Sequence, residues 1–276
     1  MSPDQALVSP AAGIEVSLKN LGFSYDDHSF WGRGRNTRWG SKRSGTQVLA
    51  ELNLTLARGK TTAIVGPSGC GKSTLLRILA GLSTPSSGQI EINGQIVSDL
   101  SGYTALMPQT DALYPWLRVE DNVALASAIA GVDKGARRQS ASAILTELGL
   151  EKWAKAWPVE LSGGMRQRVS FARTLLSHRP LLALDEPFGA LDALTREEIQ
   201  NWFSSQVAKR GLTTVVVTHD ISEAVRLGHA VVVLSERPAR VVAAWQWPDL
   251  PDYQSSAGTL EASQRIAKVR AALSAN

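Results

Sequence analysis

The sequence predicts an α/β fold with three parts: a mainly parallel sheet core, an antiparallel β subdomain and a helical subdomain. The core is indicated by short, continuously apolar runs, typical of strands buried on both faces, at 61–65, 181–185, 213–217 and 230–235. Alternating β-like runs between residues 14 and 56 indicate the antiparallel part. Frequent alanine and leucine from about residue 119 to residue 157 indicate the helical part.

The composition is that of a globular protein kept in a reducing compartment. Hydrophobic residues make up 43% and charged residues 20% of the 276 positions. The net charge of +4 does not by itself indicate nucleic acid. The pI of 9.3 fits either a protein beside an anionic membrane face or an ordinary surface composition. The single cysteine, Cys70, excludes an intramolecular disulfide.

The chain carries no apolar run long enough to cross a bilayer and does not begin like a signal peptide. We therefore expect a protein that stays on the cytoplasmic side of the membrane. If it works in transport, the channel must be another polypeptide.

The domain organisation is expected to be simple. We predict one domain at 14–250, preceded by a disordered N-terminus at 1–13 and followed by a helical tail at 251–276. Within the domain we expect a loop insertion at 26–46 and a helical lobe at about 110–165.

The insertion allows two interpretations. Trp31 and Trp39, interleaved with basic residues, would suit a nucleic-acid surface. The dominance of glycine and charge favours a solvated, partly disordered loop, and no nucleic-acid partner is expected.

A glycine-rich phosphate loop follows the run at 61–65 and matches the pattern GxxxxGK[ST] at residues 66–73. Its glycines let backbone amides face phosphate oxygens, aided by the dipole of the following helix. Lys72 would reach the β- and γ-phosphates, the Ser73 hydroxyl would ligate Mg²⁺, and Thr74 would add a phosphate contact. The expected nucleotide-binding residues here are Gly66, Pro67, Ser68, Gly69, Cys70, Gly71, Lys72, Ser73 and Thr74. The alternative is a glycine-rich turn with an incidental lysine, and kinases and GTPases share the motif.

Two adjacent carboxylates end the apolar run at 181–185. Asp185 would hold Mg²⁺, directly or through water, and Glu186 would polarise the attacking water as a general base. A solvated turn is the alternative, which the upstream phosphate loop disfavours.

The LSGG segment (residues 161–168) predicts the start of a helix. Ser162 is a helix-capping residue, and Gly163 and Gly164 open a helix whose bare amides and positive dipole end suit another phosphate. By itself the segment would also serve as a simple N-cap.

Together these motifs make the chain resemble the ABC ATPase family from about residue 14 to about residue 245. The phosphate loop, LSGGMRQR, LLALDEP and VTHD occur in the order and at the spacing of that family. The resemblance implies a P-loop NTPase fold of the ABC cassette type, with ATP and Mg²⁺ as cofactors.

The resemblance further implies a head-to-tail dimer, here expected to be a homodimer. Ser162 and Gly164 of one subunit would close over the γ-phosphate that Lys72 of the other subunit holds, with Gly163 between them. His219 would contact the γ-phosphate and the attacking water, and Asp192 would communicate across the dimer.

Two further residues match positions of the family's nucleotide site. Gln109 would approach Mg²⁺ and the attacking water while its loop touches the membrane partner; an exposed loop amide is the alternative. Tyr25 lies where the family places an aromatic residue that stacks on adenine. Phe23 is the second candidate for that role, and a core role is open for both.

Three segments resemble the importer ATPases for nitrate, sulfonate, taurine and pyrimidine precursors: DALYPWLRVEDNV, EPFGALDALTR and LSERPARV. That group implies permease subunits as direct partners, a periplasmic or lipid-anchored solute-binding protein as an indirect one, and a peripheral position at the cytoplasmic face of the membrane. Tyr114, Pro115 and Trp116 would either face the permease or pack inside the helical lobe.

The alternatives to an importer motor are a soluble ABC ATPase of translation or repair and a cassette that powers export. Translation proteins of the family usually carry two cassettes, and the short spacing between Lys72 and Ser162 leaves no room for the long coiled coil of repair proteins. Many exporters fuse the membrane segment to the cassette. Import is therefore favoured, with the solute open.

Overall fold

A computed structural model of the chain describes residues 13–25 and 45–275. Most of the predicted N-terminal segment at 1–13 and of the predicted insertion at 26–46 lies outside these residues. The remaining domain boundaries stay predictions.

The antiparallel subdomain is a sheet with the strand order β2-β1-β4-β5. Its strands are β1 (Val16–Tyr25), β2 (Thr46–Leu56), β4 (Ser87–Ile92) and β5 (Gln95–Val97). Asn93 and Gly94 join β4 to β5, both with positive φ, as the tightest hairpin turns require.

The core sheet has the strand order β10-β9-β3-β8-β7-β6 and is parallel except for β10 at one edge. Its strands are β3 (Thr61–Val65), β6 (Thr104–Met107), β7 (Leu181–Asp185), β8 (Thr213–Val217), β9 (Ala230–Leu234) and β10 (Val241–Gln246). Every residue of β3 and β8 is buried, which confirms that the apolar runs predicted strands covered on both faces.

Helices cover both faces of the core sheet and form a lobe beside it. They are α1 (Lys72–Leu79), α2 (Val119–Ile129), α3 (Lys134–Glu147), α4 (Gly163–Leu175), α5 (Ala193–Arg210), α6 (Ile221–Leu227) and α7 (Ser256–Ser274). Buried residues of α2, α3 and α4 share one core, and α7 packs with α6 and β9 in another. Within the part of the chain that the structure describes, no helix has the length and apolar character of a membrane span.

The strand order determines where the motifs meet. Strands β3, β8 and β7 are neighbours and run parallel, so the segments that follow them leave the sheet at the same edge. Ligand sites of open α/β sheets lie beyond this edge. The phosphate loop follows β3, the acidic pair ends β7 and His219 follows β8.

Three phenylalanines connect this edge to the helical lobe. Phe171 on α4, Phe188 after β7 and Phe203 on α5 are fully buried. Their ring centroids lie 4.9 Å apart for Phe171 and Phe188 and 5.5 Å apart for Phe171 and Phe203. The cluster therefore holds the LSGG helix against the segment that carries the acidic pair.

Replacing Phe203 with alanine should lower the free energy of unfolding by about 3–5 kcal/mol, because it leaves a cavity in this cluster. Urea denaturation measures the change. The matched control is Leu260→Ala on α7, where the side chain is 62% exposed and the loss should stay below about 0.5 kcal/mol. Equal losses in the two variants would contradict the packing role.

Candidate nucleotide site

The phosphate loop is folded tightly against strand β2. Gly69 and Gly71 have φ values of 74° and 125°, a region that side chains disfavour. A Cβ atom on Gly71 would lie 2.8 Å from Val48 Cγ1, so only glycine allows this approach. The buried Lys72 ammonium donates to the carbonyl oxygens of Gly66 and Pro67, at 2.8 Å each.

Asp185 lies at the end of β7, next to the phosphate loop. Its burial raises the pKa of the carboxyl group, an effect that a hydrogen bond with Ser73 partly opposes and the nearby Glu186 carboxylate reinforces. The carboxylate and the Ser73 hydroxyl thus form a pair of oxygen donors facing the same space.

Glu186 is the meeting point of three segments. Its backbone is left-handed, with φ 46°, and its amide donates to the Val217 carbonyl of β8 at 2.8 Å. Its carboxylate accepts a hydrogen bond from Gln109 Nε2 at 3.1 Å and lies 3.2 Å from His219 Nδ1. The His219 side chain is 71% exposed and that of Glu186 24%, so the pair lies at the edge of the site.

The phosphate loop, Gln109 and the acidic pair line one cavity of about 280 Å³. Its lining consists of Ser68, Gly69, Gly71, Lys72, Ser73, Thr74, Gln109, Asp185, Glu186 and Arg237. Sequence reasoning identified each of these except Arg237. Its guanidinium donates to the Gly69 carbonyl at 2.6 Å from a turn far along the chain, and neither of the two arginines in LSERPARV gives a local signal of that contact.

The two aromatic candidates for adenine stacking have different environments. Tyr25 is 48% exposed, and its hydroxyl lies 3.3 Å from Thr74 Oγ1 at the start of α1. Phe23 is 8% exposed and belongs to the core. Of these two described residues, Tyr25 is the one accessible beside the phosphate loop.

The LSGG segment lies outside the cavity of its own chain. Ser162 is the N-cap of α4, and its hydroxyl accepts from the Met165 amide at 3.3 Å. Asp192 similarly caps α5, where the hydrogen bond from the Thr195 amide lowers the pKa of its carboxyl group. None of Ser162, Gly163, Gly164 and Asp192 is among the described residues that line the cavity.

The aromatic segment after Gln109 is exposed but rigidly held. Trp116 is 68% exposed, Tyr114 and Pro115 are also exposed, and the two aromatic rings contact each other edge to face at 5.4 Å. The Asn122 side chain accepts from the Tyr114 amide at 2.8 Å, and Arg173 lies over the Tyr114 ring. The three side chains therefore do not pack inside the helical lobe.

A buried carboxyl group lies behind His219. Glu223 on α6 lines a small cavity together with Glu186, Thr218 and His219. Burial, reinforced by the charge of Asp220 and opposed by a hydrogen bond with Thr218, raises the pKa of Glu223 to about 7. Its Oε1 atom has no partner among the described residues.

The fold and the cavity together define a nucleotide-hydrolysing domain of the P-loop class. A family model described as ABC transporter matches residues 49–189. The chain is 48% identical over 192 residues to the aliphatic sulfonates import ATP-binding protein SsuB of Cupriavidus pinatubonensis, an alignment covering 70% of this chain and 62% of that protein. It is 45% identical over 195 residues to the taurine import ATP-binding protein TauB of Pseudomonas aeruginosa, covering 71% and 74%.

Among solved structures, the chain is similar to the ATP-binding cassette MJ0796, which has been solved as a dimer bound to ADP and Pi after hydrolysis. The TM-score is 0.71 and the identity 30%, with 85% of this chain and 99% of that chain covered. The chain belongs to the ABC transporter family. It is an ABC-type ATPase of the import class, and the alternatives of a translation, repair or export cassette are not favoured.

The raised pKa of Glu223 should make the free energy of unfolding depend on pH. Because its folded-state pKa lies above the ordinary value of 4.5, the folded protein retains a proton that the unfolded chain releases. The free energy of unfolding should therefore fall as the pH rises from about 5 to 8, by up to about 3 kcal/mol from this group. Glu223→Gln should remove that component from a series of urea denaturation curves. Glu198→Gln, an exposed carboxylate on α5, should retain the wild-type pH dependence, and a shared dependence in all three proteins would contradict the assignment.

Proposed function

We propose that two copies of this chain bind Mg-ATP between them and that hydrolysis drives uptake of a small organic sulfonate through a membrane permease. The observation that carries the proposal is the position of the Glu186 carboxylate between Gln109 and His219, at the edge of the cavity that Lys72 and Ser73 line.

The phosphate loop would hold the triphosphate of ATP. Its amides and the N-terminus of α1 supply partial positive charge, and the Lys72 ammonium would exchange its two carbonyl partners for phosphate oxygens. Tyr25, exposed beside Thr74, is placed to stack on the adenine ring.

The residues present fit a magnesium ion. The Ser73 hydroxyl, the Asp185 carboxylate and the Gln109 amide face one cavity, and oxygen donors are the ligands that Mg²⁺ prefers. Asp185 has a pKa raised by burial, so a nearby cation would favour its charged form. When bound, the ion would neutralise charge on the phosphates.

Glu186 is the proposed general base. Its carboxylate would accept a proton from the attacking water. Hydrogen bonds from Gln109 and His219 would hold that carboxylate in position. His219 would also contact the γ-phosphate from the exposed side of the cavity.

A second copy would complete the site. Ser162, Gly163 and Gly164 lie outside the cavity of their own chain, yet a helix start with bare amides is suited to a phosphate. The similar MJ0796 cassette is a dimer in the presence of ADP and Pi, which supports pairing. Asp192, at the start of α5, would lie at the same interface.

The exposed segment with Tyr114, Pro115 and Trp116 would contact the permease at the cytoplasmic face of the membrane. It follows Gln109 directly, so motion at the γ-phosphate would pass to it through one short stretch of chain. A solute-binding protein would contact the permease rather than this chain.

The sulfonate substrate class rests on the two relatives, whose names specify aliphatic sulfonates and taurine. Proteoliposomes containing this chain, its permease and the solute-binding protein test it. We expect ATP-dependent accumulation of an alkanesulfonate or taurine, and transport of only unrelated solutes would contradict the class.

Glu186→Gln should lower the rate of phosphate release by about 10²–10⁴-fold, the range expected for loss of a general base. Size-exclusion chromatography should still show dimers that retain ATP, because the amide keeps the size of the carboxylate. Glu198→Gln should hydrolyse ATP at the wild-type rate. Near-normal turnover in Glu186→Gln would remove this residue as the base.

Trp116→Ala should weaken association with the permease about tenfold or more, as loss of a large exposed aromatic anchor does. The measurement is the fraction of the cassette retained on permease-containing membranes. ATP binding should be unchanged, because Trp116 lies outside the cavity. Leu260→Ala, which removes an exposed apolar side chain from α7, is the control, and equal retention of all three proteins would contradict the docking role.

A further inference from the structure

Arg237 lies at the opening of the nucleotide cavity, on the turn between β9 and β10. We propose that its guanidinium is a second cationic contact for the phosphates of bound ATP, supplementing Lys72. This inference rests on the proposed nucleotide site and adds to it a residue from outside the phosphate loop and the acidic pair.

The turn that carries Arg237 is fixed to strand β2. The Ala239 amide donates to the Val48 carbonyl at 2.8 Å, and the Ala50 amide donates to the Ala239 carbonyl at 3.0 Å. Ala239 is fully buried. The backbone beside Arg237 is thus held in place by the sheet rather than by the guanidinium contact.

The same part of β2 packs against the phosphate loop. Val48 and Leu49 face Gly71, and Gly66 at the start of the loop approaches the Leu234 carbonyl at the end of β9. The turn and the phosphate loop therefore both pack against β2, which fixes the position of Arg237 relative to the amides of the loop.

The guanidinium is available for a ligand. An arginine has five N–H donors, and the described contacts of Arg237 account for one, from Nη2 to the Gly69 carbonyl at 2.6 Å. The residue is exposed, and it lines the cavity together with Lys72 and Ser73. The Gly69 carbonyl thus orients the planar group while the remaining donors are left for phosphate oxygens.

Electrostatics favours a second cation here. Besides Lys72, the lining of the cavity carries the two carboxylates Asp185 and Glu186, which repel an anionic triphosphate. A guanidinium keeps its charge at any physiological pH, so it would offset this repulsion. The alternative is a purely structural role, in which Arg237 stabilises the phosphate loop through its hydrogen bond to Gly69 and does not contact the nucleotide.

Charge and loop fastening can be separated by substitution. Arg237→Lys keeps the positive charge and a donor, whereas Arg237→Gln keeps a donor without the charge. The control is Arg240→Gln in the same turn, where the arginine pairs with Glu51 at 2.6 Å and does not line the cavity.

The experiment measures the dissociation constant of a fluorescent ATP analogue, the N-methylanthraniloyl derivative, in EDTA at low and high salt. We expect Arg237→Gln to weaken binding about tenfold at low salt, as loss of a charge-assisted hydrogen bond does. Arg237→Lys should stay within about threefold of the wild type, and Arg240→Gln should match it. The difference between the wild type and Arg237→Gln should shrink at high salt.

Wild-type affinity in Arg237→Gln, equal losses in the Gln and Lys variants at position 237, or an equal loss in Arg240→Gln would each overturn the proposed contact. Failure of the wild-type protein to bind the analogue both in EDTA and in the presence of Mg²⁺ would instead overturn the nucleotide site as a whole. The two failures are therefore distinguishable.

Discussion

The spacing of neighbouring parallel strands is the constraint on which the site depends. Such strands lie about 4.8 Å apart, so segments that leave β3, β8 and β7 at one edge must share a narrow space. The phosphate loop, Glu186 and His219 meet there without needing long side chains. The hydrogen bond from the Glu186 amide to the Val217 carbonyl continues the pairing of β7 and β8 one residue beyond the strand, which aligns the backbone of the proposed base with the sheet.

The second constraint is the close approach of β2 to the phosphate loop. Because Gly71 has no side chain, Val48 and Leu49 of the antiparallel sheet press directly on the loop. The same stretch of β2 pairs with the turn that carries Arg237. The antiparallel subdomain therefore fixes the phosphate loop, which carries Lys72, relative to the turn that carries Arg237. It also supplies Tyr25.

Features encoded locally could be predicted from the sequence, and features that depend on distant segments could not. The buried strands and the capping role of Ser162 follow from hydrophobic runs and side-chain chemistry within a few residues, and the structure has them. Arg237 and Gly69 are 168 positions apart, and no periodicity links them. The raised pKa of Glu223 likewise arises from burial by packed neighbours, which the pattern THDISEAV does not reveal.

The LSGG helix start lies outside the cavity of its own chain. If the site needs a second chain, only dimers hydrolyse ATP. The rate of hydrolysis in a dilute solution then falls with the square of the chain concentration. A permease that holds two cassettes side by side would raise their effective concentration into the millimolar range. Chains that are not bound to a permease would then hydrolyse ATP slowly, so little ATP would be consumed without transport.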